Sequence, residues 1–170
     1  MTEELGDWAI TEDLYQYIKK VLPEGSTILE LGSGYGTEKL AEHYKMFSVE
    51  HDVEYLDKYP SVYLHAPLKE HKAIANHEGN VWYDAEILRP QLEGLDYGLL
   101  LVDGPPESRA GFVKYFDMFD PDAIMVFDDV NRRRDNSVMN SIAAKLSVPY
   151  VTYGAGTGKL FGVINDPCTR

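Results

Sequence analysis

A glycine-rich segment has residue types suited to holding a ligand. Residues 30–37 read Glu-Leu-Gly-Ser-Gly-Tyr-Gly-Thr, with glycines at Gly32, Gly34 and Gly36. Glycine lets the backbone turn sharply and lets a ligand approach without a Cβ in the way. A helix that follows such a loop presents unpaired N–H groups and the positive end of its dipole. The segment predicts a ligand-binding loop between a strand and a helix, and the alternative is a tight turn alone.

Glu50 is the second candidate, because it ends an apolar run 14 residues after Gly36. In a doubly wound sheet the second strand lies beside the first, so Glu50 reaches the same crevice as the glycine loop. A carboxylate at this position can accept two hydrogen bonds from a ribose diol. The alternatives are a solvated strand end, or the same role performed by the neighbouring Asp52.

Three aspartates follow two later apolar runs, Asp103 after 97–102 and the pair Asp128 and Asp129 after 123–127. Carboxyl ends of neighbouring parallel strands meet at one crevice, so these side chains are expected to converge. Crowded carboxylates repel one another, and a divalent cation such as Mg²⁺ would relieve that repulsion. The alternatives are ion pairs with Arg109 or Arg132, or plain solvation.

The elements that must position these residues alternate along the chain. Short apolar runs separated by helical patterns are typical of parallel strands buried on both faces. Predicted strands cover 28–31, 46–50, 61–65, 97–102 and 123–127. Predicted helices cover 11–21, with Thr11 as the cap, then 37–44, 109–118 and 135–146, and 84–93 is expected to be short or kinked at Pro90.

The last part of the chain predicts a β-hairpin, with strands over 148–153 and 159–164 and a glycine-rich turn between them. The turn ends in Gly158-Lys159 and resembles a phosphate-binding loop. Tyr153 and Leu160 stand where that motif requires Gly and Ser or Thr, so nucleotide hydrolysis is not expected.

Together, the glycine loop, Glu50, Asp103 and the closing hairpin resemble the class I S-adenosylmethionine-dependent methyltransferases over about residues 10 to 165. The resemblance implies an α/β, three-layer Rossmann-like methyltransferase fold, with a mostly parallel seven-stranded sheet whose last strand is antiparallel. It implies that the glycines pass under the methionine part of S-adenosylmethionine, that Glu30 orients its amino group, and that Glu50 holds the ribose. Adenine would lie near 66–68 or near 82–84. The implied cofactor-binding residues are Glu30, Gly32, Ser33, Gly34, Gly36, Glu50, His51, Asp84 and Asp103.

The aspartates narrow this resemblance to metal-dependent O-methyltransferases of the catechol type, which would place a divalent cation on Asp103, Asp128 and Asp129. Two features depart from that pattern. The usual Asp-Asn pair is Asp-Asp here, and the segment 104–109 has no lysine to serve as the family's base. The Val-Asp-Gly-Pro-Pro stretch also resembles sugar O-methyltransferases. With no metal, Asp103 or Asp128 would be the general base.

Composition limits the partners. The chain has 170 residues, 16 Lys and Arg against 28 Asp and Glu, and a net charge of −12. A field of that sign repels phosphate backbones, so a nucleic-acid partner is not expected. No apolar run is long enough to span a membrane, and no secretory signal is visible, so a single cytoplasmic domain over 1–170 is expected.

The sequence thus predicts methyl transfer from S-adenosylmethionine to an oxygen of a small hydroxylated acceptor, with Mg²⁺ or another divalent cation as a candidate aid. The alternatives are a non-catalytic S-adenosylmethionine-binding module and an NAD-dependent oxidoreductase. The hairpin and the absence of a sixth parallel strand speak against the oxidoreductase. The acceptor and the oligomeric state are left open.

Overall fold

The computed structural model describes residues 10–156 and 158–169. Nine strands lie in this part of the chain. They are β1 (Thr27–Leu31), β2 (Lys45–Glu50), β3 (Val62–His65), β4 (Leu68–Glu70), β5 (Val81–Tyr83), β6 (Leu99–Val102), β7 (Ile124–Phe127), β8 (Tyr150–Tyr153) and β9 (Phe161–Ile164). The α-helices are α1 (Glu12–Val21), α2 (Tyr35–Ala41), α3 (Ala85–Leu92), α4 (Ala110–Lys114) and α5 (Arg133–Leu146).

Seven strands form one sheet in the order β3-β2-β1-β6-β7-β9-β8. The pairs from β3 to β7 are parallel, and β9 is antiparallel to both β7 and β8. This confirms the predicted mostly parallel sheet with an antiparallel last strand. The neighbouring ends of β1, β2, β6 and β7 are thereby brought to one edge, where the predicted site residues follow.

The central strands are buried on both faces, as their apolar runs predict. All four residues of β6 are buried, and alternate ones belong to two different core clusters. Leu100 and Val102 pack with Phe112 and Phe127 on one face, and Leu99 packs with the α1 side on the other. This period of two follows from the strand geometry, in which successive side chains point to opposite faces.

Helix boundaries follow local chemistry and differ in places from the predicted ones. Thr11 caps α1, as predicted, and accepts a hydrogen bond from the Leu14 N–H at 3.3 Å. Helix α2 begins at Tyr35, two residues before the predicted start, because Thr37 Oγ1 accepts the Gly34 N–H at 3.0 Å and satisfies one end donor. Helix α3 is short and contains Pro90, as predicted.

Two features differ more strongly from the sequence prediction. The predicted helix over 109–118 is broken into α4 and a 3₁₀ turn over Phe116–Met118. Strands β4 and β5 form a separate two-stranded antiparallel sheet that the apolar pattern did not predict. No helix in the described part of the chain combines the length and apolar character needed to cross a membrane.

Candidate functional site

The glycine loop lies between β1 and α2, where the sequence placed it. Gly32 has φ +88°, which favours glycine, and a Cβ there would stand 3.4 Å from Gly104 Cα. Gly34 is the N-cap residue of α2 and is extended. Gly36 lies inside the first turn of α2, where a Cβ would come within 3.0 Å of Ile10 Cγ1. Gly32 and Gly34 therefore form the turn itself, and Gly36 allows close packing behind it.

Glu30 lies on β1, two residues before Gly32 of the glycine loop, and is buried. Its Oε1 accepts hydrogen bonds from the Thr37 hydroxyl at 2.6 Å and the Ser48 hydroxyl at 2.5 Å. Burial raises the pKa of Glu30 to about 7, although these two hydrogen bonds oppose the shift. The residue is thus a carboxyl that titrates near neutral pH beside the glycine loop.

Glu50 ends β2 beside the loop and is 4% exposed. Its Oε2 accepts the Ser33 hydroxyl at 2.8 Å and the Ser33 N–H at 3.1 Å. Its Oε1 accepts the N–H groups of His51 and Asp52 at 2.9 and 3.0 Å. The structure therefore brings Glu50 into contact with the glycine loop. The Asp52 carboxylate instead accepts the Glu54 N–H at 2.9 Å, within its own turn.

His51 lies next to Glu50, with Nδ1 at 3.1 Å from Glu50 Oε1 and its ring 6.4 Å from that of Tyr83. The two segments considered for adenine turn out to be adjacent, since Leu68 pairs with Tyr83 and the Asp84 N–H donates to Pro67 O at 2.8 Å. The segments 66–68 and 82–84 are therefore a single candidate site for adenine. The Asp84 carboxylate caps α3 by accepting the Glu86 N–H at 3.0 Å.

The three aspartates converge, as predicted from the pairing of β6 with β7. One carboxylate oxygen from each of Asp103, Asp128 and Asp129 lies within 4.8 Å of the others. Asp128 and Asp129 are buried, whereas 27% of the Asp103 side chain is exposed. Desolvation, and then the Asp128 charge, raise the pKa of Asp103 well above its usual value, and Arg109 opposes this.

Arg109 is buried in the middle of this aspartate cluster, at 5% exposure. Its NH1 group donates to Asp128 O at 2.7 Å, and its NH2 group donates to Asp103 O at 3.1 Å and to Asp129 Oδ2 at 3.2 Å. Asp135 completes its surroundings, with Oδ1 at 3.8 Å from the Arg109 Nε. This is the ion pairing that the sequence offered as an alternative to a metal.

Further cations surround the same carboxylates. Lys159 Nζ lies 3.4 Å from Asp128 Oδ2 and 3.5 Å from Asp129 Oδ1. Arg132 lies 3.4 Å from Asp129 Oδ2, and the Arg134 Nε lies 3.5 Å from Asp135. Desolvation lowers the pKa of Lys159, but the two aspartates outweigh it and the net shift is upward, so its ammonium stays charged.

The sequence reasoning missed Lys159 as a site residue, and it named Tyr83 only within the adenine segment 82–84, without its contact with the glycine loop. Lys159 was considered only as part of a failed phosphate-loop motif. Tyr83 is 1% exposed, and its hydroxyl oxygen would stand 2.9 Å from a Cβ on Gly104, next to Gly32. That hydroxyl has no hydrogen-bond partner among the described residues. No sequence pattern could have revealed either contact, because both depend on how distant strands pair.

No protein-family model and no curated protein matches this chain. Solved structures do. A methyltransferase from Pyrococcus furiosus is 16% identical, with a TM-score of 0.50, over 89% of this chain and 79% of that one. MycE, a methyltransferase from the mycinamycin biosynthetic pathway solved with Mg and SAH, is 14% identical, with a TM-score of 0.52.

The MycE match covers 88% of this chain but 44% of that chain, so the present chain spans less than half of it. A second MycE structure, with Mg, SAH and mycinamycin VI, gives the same TM-score of 0.52 over 48% of its chain. At these identities the likeness is one of fold. It confirms the Rossmann-like methyltransferase fold that the glycine loop and the closing hairpin predict.

Proposed function

We propose that this chain transfers a methyl group from S-adenosylmethionine to a hydroxyl oxygen of a small acceptor. The observation that carries the proposal is the contact between Glu50 and the glycine loop. Glu50 is a buried carboxylate at the end of β2, 2.8 Å from Ser33 Oγ of the glycine loop, and such a carboxylate can accept hydrogen bonds from a ribose diol, which supports the proposal. The fold supports the choice of cofactor, because MycE, which shares it, is described with bound SAH.

Each part of the cleft then has a task. The cofactor supplies an electrophilic methyl group, so the protein has to align the acceptor and remove a proton. The glycine loop gives the cofactor close access to the backbone, Glu50 fixes its ribose end, and Glu30 offers a carboxylate toward its amino group. The place where β4 and β5 meet is the expected adenine site, and Asp84 and His51 flank the cofactor's path there.

Asp103 is the proposed general base. Its carboxylate is the more exposed of the two candidates, since 27% of its side chain is accessible against 2% for Asp128. The raised pKa of Asp103 makes it a better proton acceptor than an ordinary carboxylate. Asp128 is held by the Lys159 ammonium and by the N–H of Asp129 at 2.9 Å, which makes it the less available base.

A small acceptor fits the charge of the molecule. With a net charge of −12 the chain repels nucleic-acid backbones, and the cationic side chains Arg109, Arg132, Arg134 and Lys159 are paired with aspartates. A hydroxylated acceptor needs only hydrogen bonds and a base in this cleft. Sugar-like and catechol-like molecules both meet that requirement.

The divalent cation predicted from the sequence does not fit the cluster as it stands. Carboxylate oxygens are suitable ligands for Mg²⁺, but Arg109 and Lys159 already lie within 3.5 Å of those of Asp128 and Asp129. The repulsion that motivated a metal is therefore relieved by side chains. The proposed reaction uses no step that depends on a metal, and metal assistance stays an untested prediction.

Calorimetry with S-adenosylmethionine, S-adenosylhomocysteine and NAD tests the cofactor. We expect micromolar affinity for the first two and none for NAD. Glu50→Gln should weaken cofactor binding by about 1.5–3 kcal/mol, because hydrogen bonds to a charged acceptor are worth that much. Asp52→Asn is the matched control, since that carboxylate caps its own turn. A larger loss of cofactor affinity in Asp52→Asn than in Glu50→Gln would show that Glu50 is not the residue that binds the ribose.

Turnover separates the remaining alternatives. A non-catalytic binding module would bind S-adenosylmethionine with normal affinity but produce no S-adenosylhomocysteine with any acceptor of a hydroxylated small-molecule library. In the enzyme, Asp103→Asn should abolish turnover and leave cofactor affinity within about threefold, or roughly 0.7 kcal/mol. Preference for NAD would instead support the oxidoreductase.

A further inference from the structure

Lys159 reaches the aspartate cluster because of how the last strand pairs. Strand β9 runs antiparallel to β7, with Phe127 opposite Gly162. The chain before β9 therefore runs alongside the residues that follow β7. The Val130 N–H donates to Leu160 O at 3.0 Å, and the Leu160 N–H donates to Asn131 Oδ1 at 3.2 Å. These bonds fix the backbone on which Lys159 stands.

The Lys159 ammonium then lies between two carboxylates, 3.4 Å from Asp128 Oδ2 and 3.5 Å from Asp129 Oδ1. The Arg109 guanidinium lies on the other side, within 3.4 Å of carboxylate oxygens of Asp103 and Asp129. Together these two side chains contact all three of the aspartates that the sequence assigns to a metal. A divalent ion bound there would need carboxylate oxygens at about 2.0–2.6 Å, which requires the ammonium to leave.

We propose that the Lys159 ammonium occupies the place of a divalent cation among Asp103, Asp128 and Asp129, so that this chain binds no metal there. The inference rests on the proposed function in treating the cluster as the acceptor side of a methyl-transfer cleft. A lysine ammonium is a compact point charge, and it neutralises paired carboxylates without the octahedral shell that Mg²⁺ demands. Lys159 is accordingly a positioning residue that holds Asp128 and Asp129 in place.

Replacing the lysine should create the metal site that it prevents. In Lys159→Met the Asp128 Oδ2 and Asp129 Oδ1 oxygens lose their ammonium, while the two arginines stay at Asp129 Oδ2, so a divalent cation should bind at the freed oxygens. We expect Mn²⁺, followed by electron paramagnetic resonance, to bind Lys159→Met at least tenfold more tightly than the unchanged chain. The thermal midpoint of this variant should fall in EDTA and recover in millimolar Mn²⁺ or Mg²⁺. The midpoint of the unchanged chain should be the same in EDTA and in Mg²⁺.

Two variants serve as controls. Lys159→Arg keeps a cation beside the aspartates, so its Mn²⁺ affinity should stay as low as that of the unchanged chain and its thermal midpoint should be the same in EDTA and in Mg²⁺. If Lys159→Met acted only through lost packing, its thermal midpoint would not depend on metal. Lys69→Met removes a lysine that pairs with Asp84 and Glu86 outside the cluster, and should leave metal binding unchanged. Cofactor calorimetry is a separate measurement, so failure of the proposed function does not decide this experiment.

Mn²⁺ uptake by the unchanged chain that disappears in Asp128→Asn would overturn the proposal, because the ion would then coexist with Lys159. A folded Lys159→Met protein that takes up no more Mn²⁺ than the unchanged chain would overturn it equally. If Lys159→Met folds only when Mn²⁺ is present, the proposal is supported, because the metal ion then replaces the charge of the lysine. If it folds under neither condition, the comparison of the unchanged chain with Asp128→Asn decides the question.

Discussion

The Glu50 carboxylate already accepts four hydrogen bonds within the protein, two at each oxygen. Four is about the number of lone-pair sites that a carboxylate offers. A ribose hydroxyl can therefore bind only by displacing one of these donors. In the proposed complex, the Ser33 hydroxyl, on a side chain that can rotate, is the donor that we expect a ribose hydroxyl to displace.

Ser33→Ala should therefore tighten cofactor binding. Removing a competing hydrogen bond, worth about 0.5–1.5 kcal/mol, corresponds to roughly a threefold to tenfold gain in affinity. Calorimetry with S-adenosylhomocysteine measures the change. Ser61→Ala is a suitable control, because its hydroxyl contacts Ser48 at 2.7 Å and not Glu50. Weaker binding in Ser33→Ala would show instead that the hydroxyl contacts the cofactor directly.

The second residue for which we predict an effect is Tyr83, whose hydroxyl group should lower the stability of the protein. Its buried hydroxyl has no hydrogen-bond partner among the described residues, and an unsatisfied buried polar group costs about 1–3 kcal/mol. Tyr83→Phe should therefore raise the free energy of unfolding of the cofactor-free protein by about 1 kcal/mol. Tyr97→Phe should lower it, because the buried Tyr97 hydroxyl accepts the Asp120 N–H at 2.8 Å. Urea denaturation of both variants checks the pair, and destabilisation by Tyr83→Phe would contradict the assignment.

At the scale of elements, α4 packs directly on β5 through a glycine. A Cβ on Gly111 would stand 2.3 Å from the Cβ and Cγ of Trp82, far inside contact distance. Gly111→Ala must therefore push α4 away from β5, which leads into Asp84 and the expected adenine site. We expect a loss of about 1–3 kcal/mol in stability, as for other overpacked cores, together with weaker cofactor binding.

Lys114→Ala on the same helix is the control, since this side chain is exposed and its loss should change stability by less than about 0.5 kcal/mol. Urea midpoints and cofactor calorimetry of the two variants test the packing. If Gly111→Ala were as stable as the unchanged chain, α4 would be free to move relative to β5.

The middle of the main sheet was predictable because two of its strands, β6 and β7, are apolar runs with no polar interruption on either face. Leu99–Val102 and Ile124–Phe127 are of this kind, and their acidic ends located the site. Strand β4 carries no such signal, since Lys69 and Glu70 are both exposed. Strands of three residues are stabilised by their partner strand and by tertiary contacts, and the pattern of apolar residues along the sequence does not predict such contacts.

The sequence could predict the proximity of two site residues only where the strands that precede them are neighbours both along the chain and in the sheet. Asp103 and Asp128 follow strands that any doubly wound sheet places side by side, so their proximity could be derived. The position of Lys159 depends on the register of β9 against β7, which is antiparallel and fixed by pairs such as Val126 with Val163. A shift of two residues in that register would keep the same faces buried and move the lysine away.

At the scale of the whole molecule, the cleft is assembled from positions far apart in the chain. Gly32, Glu50, Asp103 and Asp128 end or follow four neighbouring strands, and Lys159 joins them because β9, which it precedes, lies next to β7. Folding free energy and ligand binding are therefore linked, and groups whose pKa changes on folding make both depend on pH.

Glu30 and Asp166 make opposite contributions to this dependence. Burial raises the pKa of Glu30 to about 7 from an ordinary value of 4.5. Burial also acts to raise the pKa of Asp166, but hydrogen bonds from Tyr153 and Tyr17 outweigh it and the net shift is downward. Stability from Glu30 is thus fully present below about pH 4.5, and stability from Asp166 is lost only in acid.

Between pH 4.5 and 7 the folded protein holds a proton on Glu30 that the unfolded chain has released. Stability should therefore fall as pH rises through this window, by about 3 kcal/mol at most, since one pKa unit corresponds to about 1.4 kcal/mol. Glu30→Gln lacks this titration, so its stability relative to the unchanged chain should rise from pH 5 to about pH 7 and then level off towards pH 8. The matching difference for Asp166→Asn should stay flat over the same range, because that carboxyl is ionised in both states. Urea denaturation at unit steps of pH measures both. A flat difference for Glu30→Gln would mean that Glu30 is ionised throughout, held by Thr37 and Ser48 strongly enough to offset its burial.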